Sequence, residues 1–275
     1  MAWIRGPGRL LVCSDLHGNV EDFRAVVRRF EAEADACLLL LGDLLHGPEL
    51  EAEVWAEEYR YLGEHYVDAS EVLWREFVAL RGRYPGRVAS LMGNHDHAHI
   101  GGPVVSKFFE DEAAHVESKM TAEEVVALRE GLRGLPYLGV SSCGVAFTHG
   151  APPERPFTLE TLAMVEVSRY RGIPLWGMYD VDWFGELLWR RGSSAEGPGR
   201  FLEYLEASIP ELPCEVVVHG HEIAREGFAI DHPVTFNLSS SFGMERGRKV
   251  VLRLELEGRY RSAAELRVEL LPLYG

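Results

Sequence analysis

Short apolar runs separated by amphipathic stretches occur through the first half of the chain and again near its end. The runs are too short for helices and rich in Val and Leu, which is typical of buried strands. We predict strands at residues 10–13, 37–41, 88–92, 145–148, 216–218, 234–238 and 250–256. Residues 20–34 instead place Phe23, Val26, Val27 and Phe30 on one face, which is the spacing of an amphipathic helix.

Two further segments have helical patterns. Residues 51–81 are consistent with one or two helices, and residues 121–132 with another, which Thr121 and Glu124 begin as a capping box. Strands that alternate with helices predict an α/β fold with a largely central sheet. The last two strands follow each other closely, so we expect a hairpin there.

Residues 154–199 interrupt this alternation with an aromatic-rich, irregular segment. Its large aromatic residues are Trp176, Tyr179, Trp183, Phe184 and Trp189. We interpret the segment as an insertion, a possible lid or wall over the strand ends, because no linker separates it from the rest. The prediction is therefore one domain over residues 1–275.

Composition excludes several classes of protein. The 275 residues have no apolar run near the roughly 20 residues that span a bilayer, and the N-terminus lacks a signal-peptide pattern. We therefore expect a cytoplasmic protein without a membrane partner. The net charge of −15 opposes nucleic-acid binding, which needs a basic surface. No CxxC pair is present, so we expect the four cysteines to be buried thiols: Cys13, Cys37, Cys143 and Cys214.

Polar side chains with ligand chemistry follow five of the predicted strands. In open α/β sheets, ligands bind beyond the carboxyl ends of the strands. The residues found there are Asp15 and His17, then Asp43, then Asn94, His95 and Asp96, then His149, then His219 and His221. Each motif alone is more simply a turn or a helix cap, but five such strand ends in succession indicate one site.

The residue types indicate a metal centre. Carboxylate, imidazole and amide groups without cysteine suit Mn, Fe, Zn or Co, and their number exceeds the needs of one tetrahedral ion. Two ions that share a bridging carboxylate can activate a water for attack on phosphorus. The sequence therefore favours two divalent ions, of uncertain identity, as cofactors.

The motifs "SDLHGN", "GDLL", "GNHD", "THG" and "HGHE", in this order, resemble those of the calcineurin-like metallophosphoesterases. Within that superfamily the chain is most similar to the phosphoprotein phosphatase (serine/threonine phosphatase-like) branch, as "LLW" and "PVTFNLSSSFG" indicate. The resemblance covers nearly the whole chain. It implies a four-layer α/β/β/α sandwich and a phosphorylated substrate.

The resemblance also implies roles for individual residues. Asp15 and His17 would hold the first metal and Asp43 would bridge to the second, which Asn94, His149 and His221 complete. A metal-bridging hydroxide would attack phosphorus. His95 would act as the general acid, and Asn94 would also contact substrate. Arg191 would bind the phosphate, with Arg190 and Arg200 as nearby substitutes.

One motif departs from this pattern. Where the branch has GDxxDRG, the chain reads "GDLLHGP", so His46 and Gly47 replace the aspartate that orients the catalytic histidine and a phosphate-binding arginine. Asp96 and Glu49 are then the candidates to orient His95, and His46 is a weaker candidate for a phosphate contact. We therefore expect a phosphoprotein phosphatase-like monoesterase with altered specificity.

Two alternative functions are also compatible with the sequence. One is a hydrolase of small nucleotides, either dinucleoside polyphosphates or cyclic nucleotides. The other is an inactive binding scaffold, which is disfavoured because every ligand position of the motifs is filled. The sequence does not indicate an oligomeric state.

Overall fold

The chain forms two β-sheets packed face to face, with helices on the outer side of each sheet. The computed structural model describes residues 1–275. The strands are β1 Ala2–Ile4, β2 Arg9–Cys13, β3 Cys37–Leu40, β4 Val88–Ser90, β5 Gly139–Ser141, β6 Val145–Phe147, β7 Val216–His219, β8 Phe228–His232, β9 Thr235–Leu238, β10 Val250–Glu255 and β11 Leu270–Pro272. The helices are α1 Val20–Ala32, α2 Ala52–Val54, α3 Ser70–Arg83, α4 Asn94–Ala98, α5 Glu112–Ser118, α6 Ala122–Arg133, α7 Leu159–Ala163, α8 Met178–Val181, α9 Trp183–Trp189, α10 Gly197–Ser208 and α11 Ala263–Leu266.

One sheet has six strands in the order β1-β5-β6-β7-β9-β8, and the other has five in the order β11-β10-β2-β3-β4. Strands β2, β3 and β4 are parallel, as are β6, β7 and β9. Parallel strands deliver their carboxyl ends to the same edge of a sheet, so the loops after β2, β3, β4, β6 and β7 can meet in one place.

Successive side chains of the central strands point to opposite faces of their sheet, and this alternation explains the four layers. In β2, Leu10 and Val12 belong to the core between the two sheets, whereas Leu11 and Cys13 pack against the helices outside the five-stranded sheet. A third cluster, which includes Phe201 of α10, covers the outer face of the six-stranded sheet. Strands buried on both faces have continuous apolar sequences, which is why the runs were recognisable. The four-layer sandwich is confirmed.

Most predicted elements are present, with small differences at their ends. Helix α1 begins after Asn19, whose side chain accepts a hydrogen bond from the backbone N–H of Asp22. Thr121 and Glu124 form the expected capping box before α6. Residues 51–81 form a short irregular helical segment and then α3, separated by an extended stretch. Strands β1, β5, β8 and β11 were not predicted.

The expected hairpin of the last two predicted strands is wrong. Strand β9 lies in the six-stranded sheet, where it pairs antiparallel with β8, whereas β10 pairs with β2 and β11 in the other sheet. The loop between β9 and β10 therefore crosses from one sheet to the other. This loop carries Phe242 to the site described below.

Residues 154–199 pack into the molecule through several apolar side chains. Tyr170, Met178, Phe184 and Trp189 belong to the main core, while Trp176 at 77% exposure lies on the surface. The segment is thus anchored on the sandwich. Among the helices, none combines the length and the apolar character needed to cross a membrane.

Candidate metal centre

The loops after five strands converge on one cluster of buried side chains, and their backbone there is unusual. Only five non-glycine residues of the chain have positive φ angles, and all five belong to these loops or to the turn after β3: Asp15, His17, Asp43, His46 and His221. Such conformations cost about 1–3 kcal/mol each and persist where the surroundings demand them. The fold therefore accepts local strain to direct these side chains inward.

Two glycines allow the loops after β3 and β4 to touch. Gly42 has a φ of 100°, and a Cβ atom there would lie 2.6 Å from the backbone nitrogen of Gly93. A Cβ atom on Gly93 would lie 2.1 Å from the backbone nitrogen of Asp43. Only glycine permits this approach, which brings Asp43 beside Asn94 and His95.

Asp43 lies at the centre of the cluster. Its Oδ2 atom is 3.4 Å from Nε2 of His17 and 3.4 Å from Nε2 of His149. Its Oδ1 atom accepts a hydrogen bond of 2.9 Å from the backbone N–H of His95. One carboxylate thus contacts residues from three strand ends, as a bridging ligand requires.

Hydrogen bonds fix the tautomers of the two imidazoles beside Asp43. Nδ1 of His17 lies 3.0 Å from the carbonyl oxygen of His46, and Nδ1 of His149 lies 2.9 Å from that of Leu41. A carbonyl only accepts, so each Nδ1 carries the proton and donates it. Each Nε2 is then left with a lone pair that faces the carboxylate of Asp43.

This arrangement places hydrogen-bond acceptors against one another. Nε2 of His149 lies 2.8 Å from the amide oxygen of Asn94 as well as 3.4 Å from Asp43. Three acceptor atoms at these distances need a cation or a proton among them. The donor set fits a divalent metal, because metal-binding histidines commonly hold their orientation through a second-nitrogen hydrogen bond.

The remaining predicted ligands complete the cluster. The backbone N–H of His221 lies 3.1 Å from both carboxylate oxygens of Asp15, while its buried Nε2 has no hydrogen-bond partner. Of the three sets of ligand atoms that are close enough to hold a metal ion, two include Asp43: one adds His17 and His95, and the other adds His149 and His221. Asp15, at 8% exposure, lines the cavity beside this cluster.

Electrostatics follow from this geometry. Burial opposes charge on Asp43, but His149, His95 and His17 outweigh it and hold the pKa of Asp43 well below its usual range. Burial likewise disfavours charge on His149, yet Asp43 and Asp15 raise its pKa to about 9. In the absence of metal, a proton on His149 therefore compensates the convergent acceptors.

The cavity has a volume of about 70 Å³ and is polar, since Ile223 and Phe242 are the only apolar residues in its wall. Arg191 lines the cavity, and its Nη1 lies 3.5 Å from the carbonyl oxygen of His221. Arg190 instead pairs with Glu154 and Glu186, and Arg200 pairs with Glu196. Of the three arginines considered, Arg191 is the one in the cavity wall.

His95 lines the cavity but has a partner that the sequence did not indicate. Its Nδ1 atom lies 3.1 Å from Oε2 of Glu112 at the start of α5. Burial disfavours the imidazolium, but Asp43 and Glu112 outweigh it and raise the pKa of His95.

Neither expected carboxylate orients His95. Asp96 accepts hydrogen bonds from the backbone N–H groups of Leu44 and Gly93, and Glu49 pairs with His115 and Lys119.

His46 is not among the residues that line the cavity. Its side chain is fully buried, with Nδ1 3.3 Å from Glu112 and Nε2 2.9 Å from Nε2 of His99. The structure thus does not place His46 where it would contact phosphate. His219 is buried and lies outside the cavity wall, its Nδ1 3.1 Å from the carbonyl oxygen of Gly220.

Comparisons with known proteins agree with this geometry. A family model described as calcineurin-like phosphoesterase matches residues 8–225. Among solved structures, a protein serine/threonine phosphatase from Saccharomyces cerevisiae aligns with a TM-score of 0.63 and 16% identity, over 98% of this chain and 82% of that one. A cold-active protein-tyrosine phosphatase from a psychrophilic Shewanella species aligns with a TM-score of 0.56 and 16% identity, over 93% and 77% of the two chains. No curated protein sequence matches the chain.

Proposed function

The chain belongs to the calcineurin-like phosphoesterase family of metal-dependent phosphoester hydrolases, and we propose that it hydrolyses a phosphomonoester at a centre of two divalent ions. The observation that carries the proposal is the position of Asp43, whose carboxylate contacts His17 on one side and His149 on the other. A single carboxylate between two sets of ligands is what two adjacent ions require.

The ligand sets are those that the sequence motifs imply, and the contacts of Asp43 with His17 and His149 and of His149 with Asn94 support them. Asp15, His17 and Asp43 would hold one ion, and Asp43 with Asn94, His149 and His221 the other. When bound, the ions supply Lewis acidity and an activated water for attack on phosphorus. Mn, Fe, Zn and Co are the candidate ions, because the donor set suits each of them.

His95 is proposed to deliver a proton to the leaving oxygen. Its Nδ1 is directed to Glu112, so Nε2 is the nitrogen available to a substrate in the cavity. Asp43 and Glu112 raise the pKa of His95, which favours the protonated form that a general acid needs. Arg191 is proposed to bind the non-bridging oxygens of the phosphoryl group through its guanidinium.

The cavity favours a monoester over the nucleotide substrates considered above. Its volume and polar wall suit a phosphoryl group, whereas Ile223 and Phe242 alone do not form an apolar pocket for a base. Protein phosphate monoesters are the first substrates to test, since similar folds include a protein serine/threonine phosphatase and protein-tyrosine phosphatases.

The test is the Asp43→Asn variant with 4-nitrophenyl phosphate and Mn²⁺ as probes. Loss of the bridging charge should lower kcat/KM by about 10³-fold or more, since metal charge stabilisation contributes several kcal/mol. Metal content should fall in parallel. Asp231→Asn, at an exposed position, is the matched control and should retain wild-type rates. Wild-type turnover in Asp43→Asn would refute the dinuclear centre.

A further inference from the structure

Two expected phosphatase residues are absent from the turn after β3, and the structure explains one absence directly. A Cβ atom on Gly47 would lie 2.4 Å from the carbonyl oxygen of His17 and 3.0 Å from Oδ1 of Asp68. No side chain fits at this position without moving the backbone that carries His17. A phosphate-binding cation must therefore come from another segment.

The segment of residues 107–112 approaches the same place from the other side. Glu112 is 1% exposed, and its Oε1 atom accepts hydrogen bonds from the backbone N–H groups of Lys107 at 3.0 Å and Phe108 at 2.9 Å. Its Oε2 atom faces Nδ1 of His95 at 3.1 Å and Nδ1 of His46 at 3.3 Å. One buried carboxylate thus accepts hydrogen bonds from a loop at one oxygen, while its other oxygen lies within 3.3 Å of two imidazole nitrogens without a well-aligned hydrogen bond.

The surroundings of Glu112 favour its ionised form. Burial opposes ionisation, but the contacts with His46 and His95 hold the pKa of Glu112 far below its usual range. A carboxylate that is ionised beside Nδ1 of an imidazole keeps the proton on that nitrogen and stabilises the imidazolium. Glu112 is therefore placed to orient His95 through Nδ1, the ring nitrogen that faces Glu112.

A chain of contacts fixes the other partner of Glu112. Nε2 of His46 lies 2.9 Å from Nε2 of His99, whose Nδ1 lies 3.0 Å from Oε1 of Glu117. Arg129 donates a 2.9 Å hydrogen bond to the same oxygen. His46 therefore has a contact at each ring nitrogen, with Glu112 at Nδ1 and with His99 at Nε2. These contacts limit movement of the His46 ring and of the Glu112 carboxylate.

Lys107 projects from the loop that Glu112 holds. Its side chain reaches solvent at the cavity mouth, and its Nζ atom lies 3.9 Å from the centre of the Phe242 ring. Lys107 and Arg191 both line the cavity and are the only lysine and arginine in its wall. Two cations on a wall that also contains Asp15 and Asp43 suit a dianionic phosphoryl group bound between metal ions and protein.

We propose that Lys107 is a second phosphate-binding cation and that Glu112 positions His95, so that one segment supplies both functions missing at His46 and Gly47. The inference rests on the proposed phosphomonoesterase. Neither residue belongs to the motifs that indicated the family. Because Glu112 also binds the backbone of Lys107, the phosphate-binding cation and the proton donor are held in register by one side chain.

Lys107 is tested by affinity for inorganic phosphate, measured as Ki and directly by calorimetry with Mn²⁺ present. Lys107→Met should weaken phosphate binding about tenfold to a hundredfold, the usual effect of losing a charged hydrogen bond. Lys107→Arg should restore most of it. Arg28→Met removes a charge from an exposed site on α1 and serves as the control. Wild-type phosphate affinity in Lys107→Met would overturn this half of the proposal.

Glu112 is tested by Glu112→Gln, which keeps an oxygen for the two backbone N–H groups and removes the charge beside His95. The rate with phenyl phosphate should fall about tenfold or more beyond the loss with 4-nitrophenyl phosphate, because the poorer leaving group depends more on proton donation. Metal content should equal that of wild type. Glu57→Gln on the surface is the control.

Two results would overturn the role of Glu112. Equal losses of rate with phenyl phosphate and 4-nitrophenyl phosphate would show that Glu112 does not position His95. Loss of one ion per chain would show that Glu112 ligates metal, since His46, His95 and Glu112 also place their ligand atoms within reach of one ion. Failure of the wild type to hydrolyse any monoester would instead refute the proposed function, whereas the phosphate-binding measurement needs no turnover.

Discussion

Asp15→Asn is expected to stabilise the metal-free protein while it removes metal binding. Asp15 is buried, and its carboxylate accepts hydrogen bonds from the backbone N–H of His221. Burial, reinforced by the negative charge of Asp43 and opposed by His149, raises the pKa of Asp15 from 3.8 to about 6. The folded protein without metal therefore holds this carboxylate in a less favourable environment than the unfolded chain does.

The magnitude follows from that difference. Each pH unit between the two pKa values corresponds to about 1.4 kcal/mol, so the ionised carboxylate lowers the free energy of unfolding by about 3 kcal/mol at pH 7.5. Asparagine has the same shape and no charge, but it accepts hydrogen bonds at one atom fewer, which costs about 1 kcal/mol. The metal-free variant should be more stable than the metal-free wild type by about 2 kcal/mol.

The sign of the pH dependence is fixed by the raised pKa. The contribution of Asp15 to stability is fully present below pH 3.8, where the group is protonated in both states, and is lost as the pH rises through about 6. The advantage of Asp15→Asn should accordingly shrink as the pH is lowered from 7 towards 4.

Urea unfolding followed by circular dichroism, in EDTA and in Mn²⁺, measures both effects. Wild type should gain stability on addition of Mn²⁺, because an ion that binds only the folded state shifts the equilibrium, and Asp15→Asn should gain much less. Destabilisation of the variant in EDTA, or an undiminished gain in Mn²⁺, would contradict the assignment of Asp15 as a buried metal ligand.

Three further predictions concern the cavity and the core. Arg191→Ala should raise the Ki of inorganic phosphate about tenfold or more, and wild-type affinity would exclude its role in phosphate binding. Because the surrounding cavity wall desolvates the Lys107 ammonium and lowers its pKa to about 8, phosphate affinity should decline above that pH in wild type, whereas Lys107→Arg should show a flatter profile. Lys249→Met should cost about 3–5 kcal/mol in urea unfolding, since it leaves the buried Asp22, 2.8 Å from Lys249 Nζ, without its cation; a smaller loss in Asp22→Asn/Lys249→Met would verify that cause.

The sequence predicted the position of the centre because its ligands follow strands. Asp15, Asp43 and His149 each come just after an apolar run that is buried on both faces. The recognisable strand and the ligand residue are therefore neighbours along the chain. Parallel pairing then brings these strand ends together without information from the loops.

Lys107 and Glu112 carry no comparable signal. They lie 10–20 residues beyond the third motif, and residues 102–111 between that motif and α5 form neither helix nor strand. This segment is held by the Glu112 side chain, which accepts hydrogen bonds from the backbone N–H groups of Lys107 and Phe108. Such contacts have no periodicity that a sequence can show. The hairpin prediction failed for a related reason, because short spacing between β9 and β10 does not reveal that the chain changes sheets.

The centre combines several features that disfavour the folded chain in the absence of metal. Five left-handed non-glycine residues and the buried carboxylates each cost stability. Cations at Asp43 would relieve the second cost, because they would compensate the carboxylates and replace the proton that His149 carries without metal. Glu112, in contrast, is compensated by His46 and His95 within the protein. Removal of metal should therefore loosen the loops of Asp15 and His221 while the contacts of Glu112 persist, and this separates ligands from positioning residues on physical grounds.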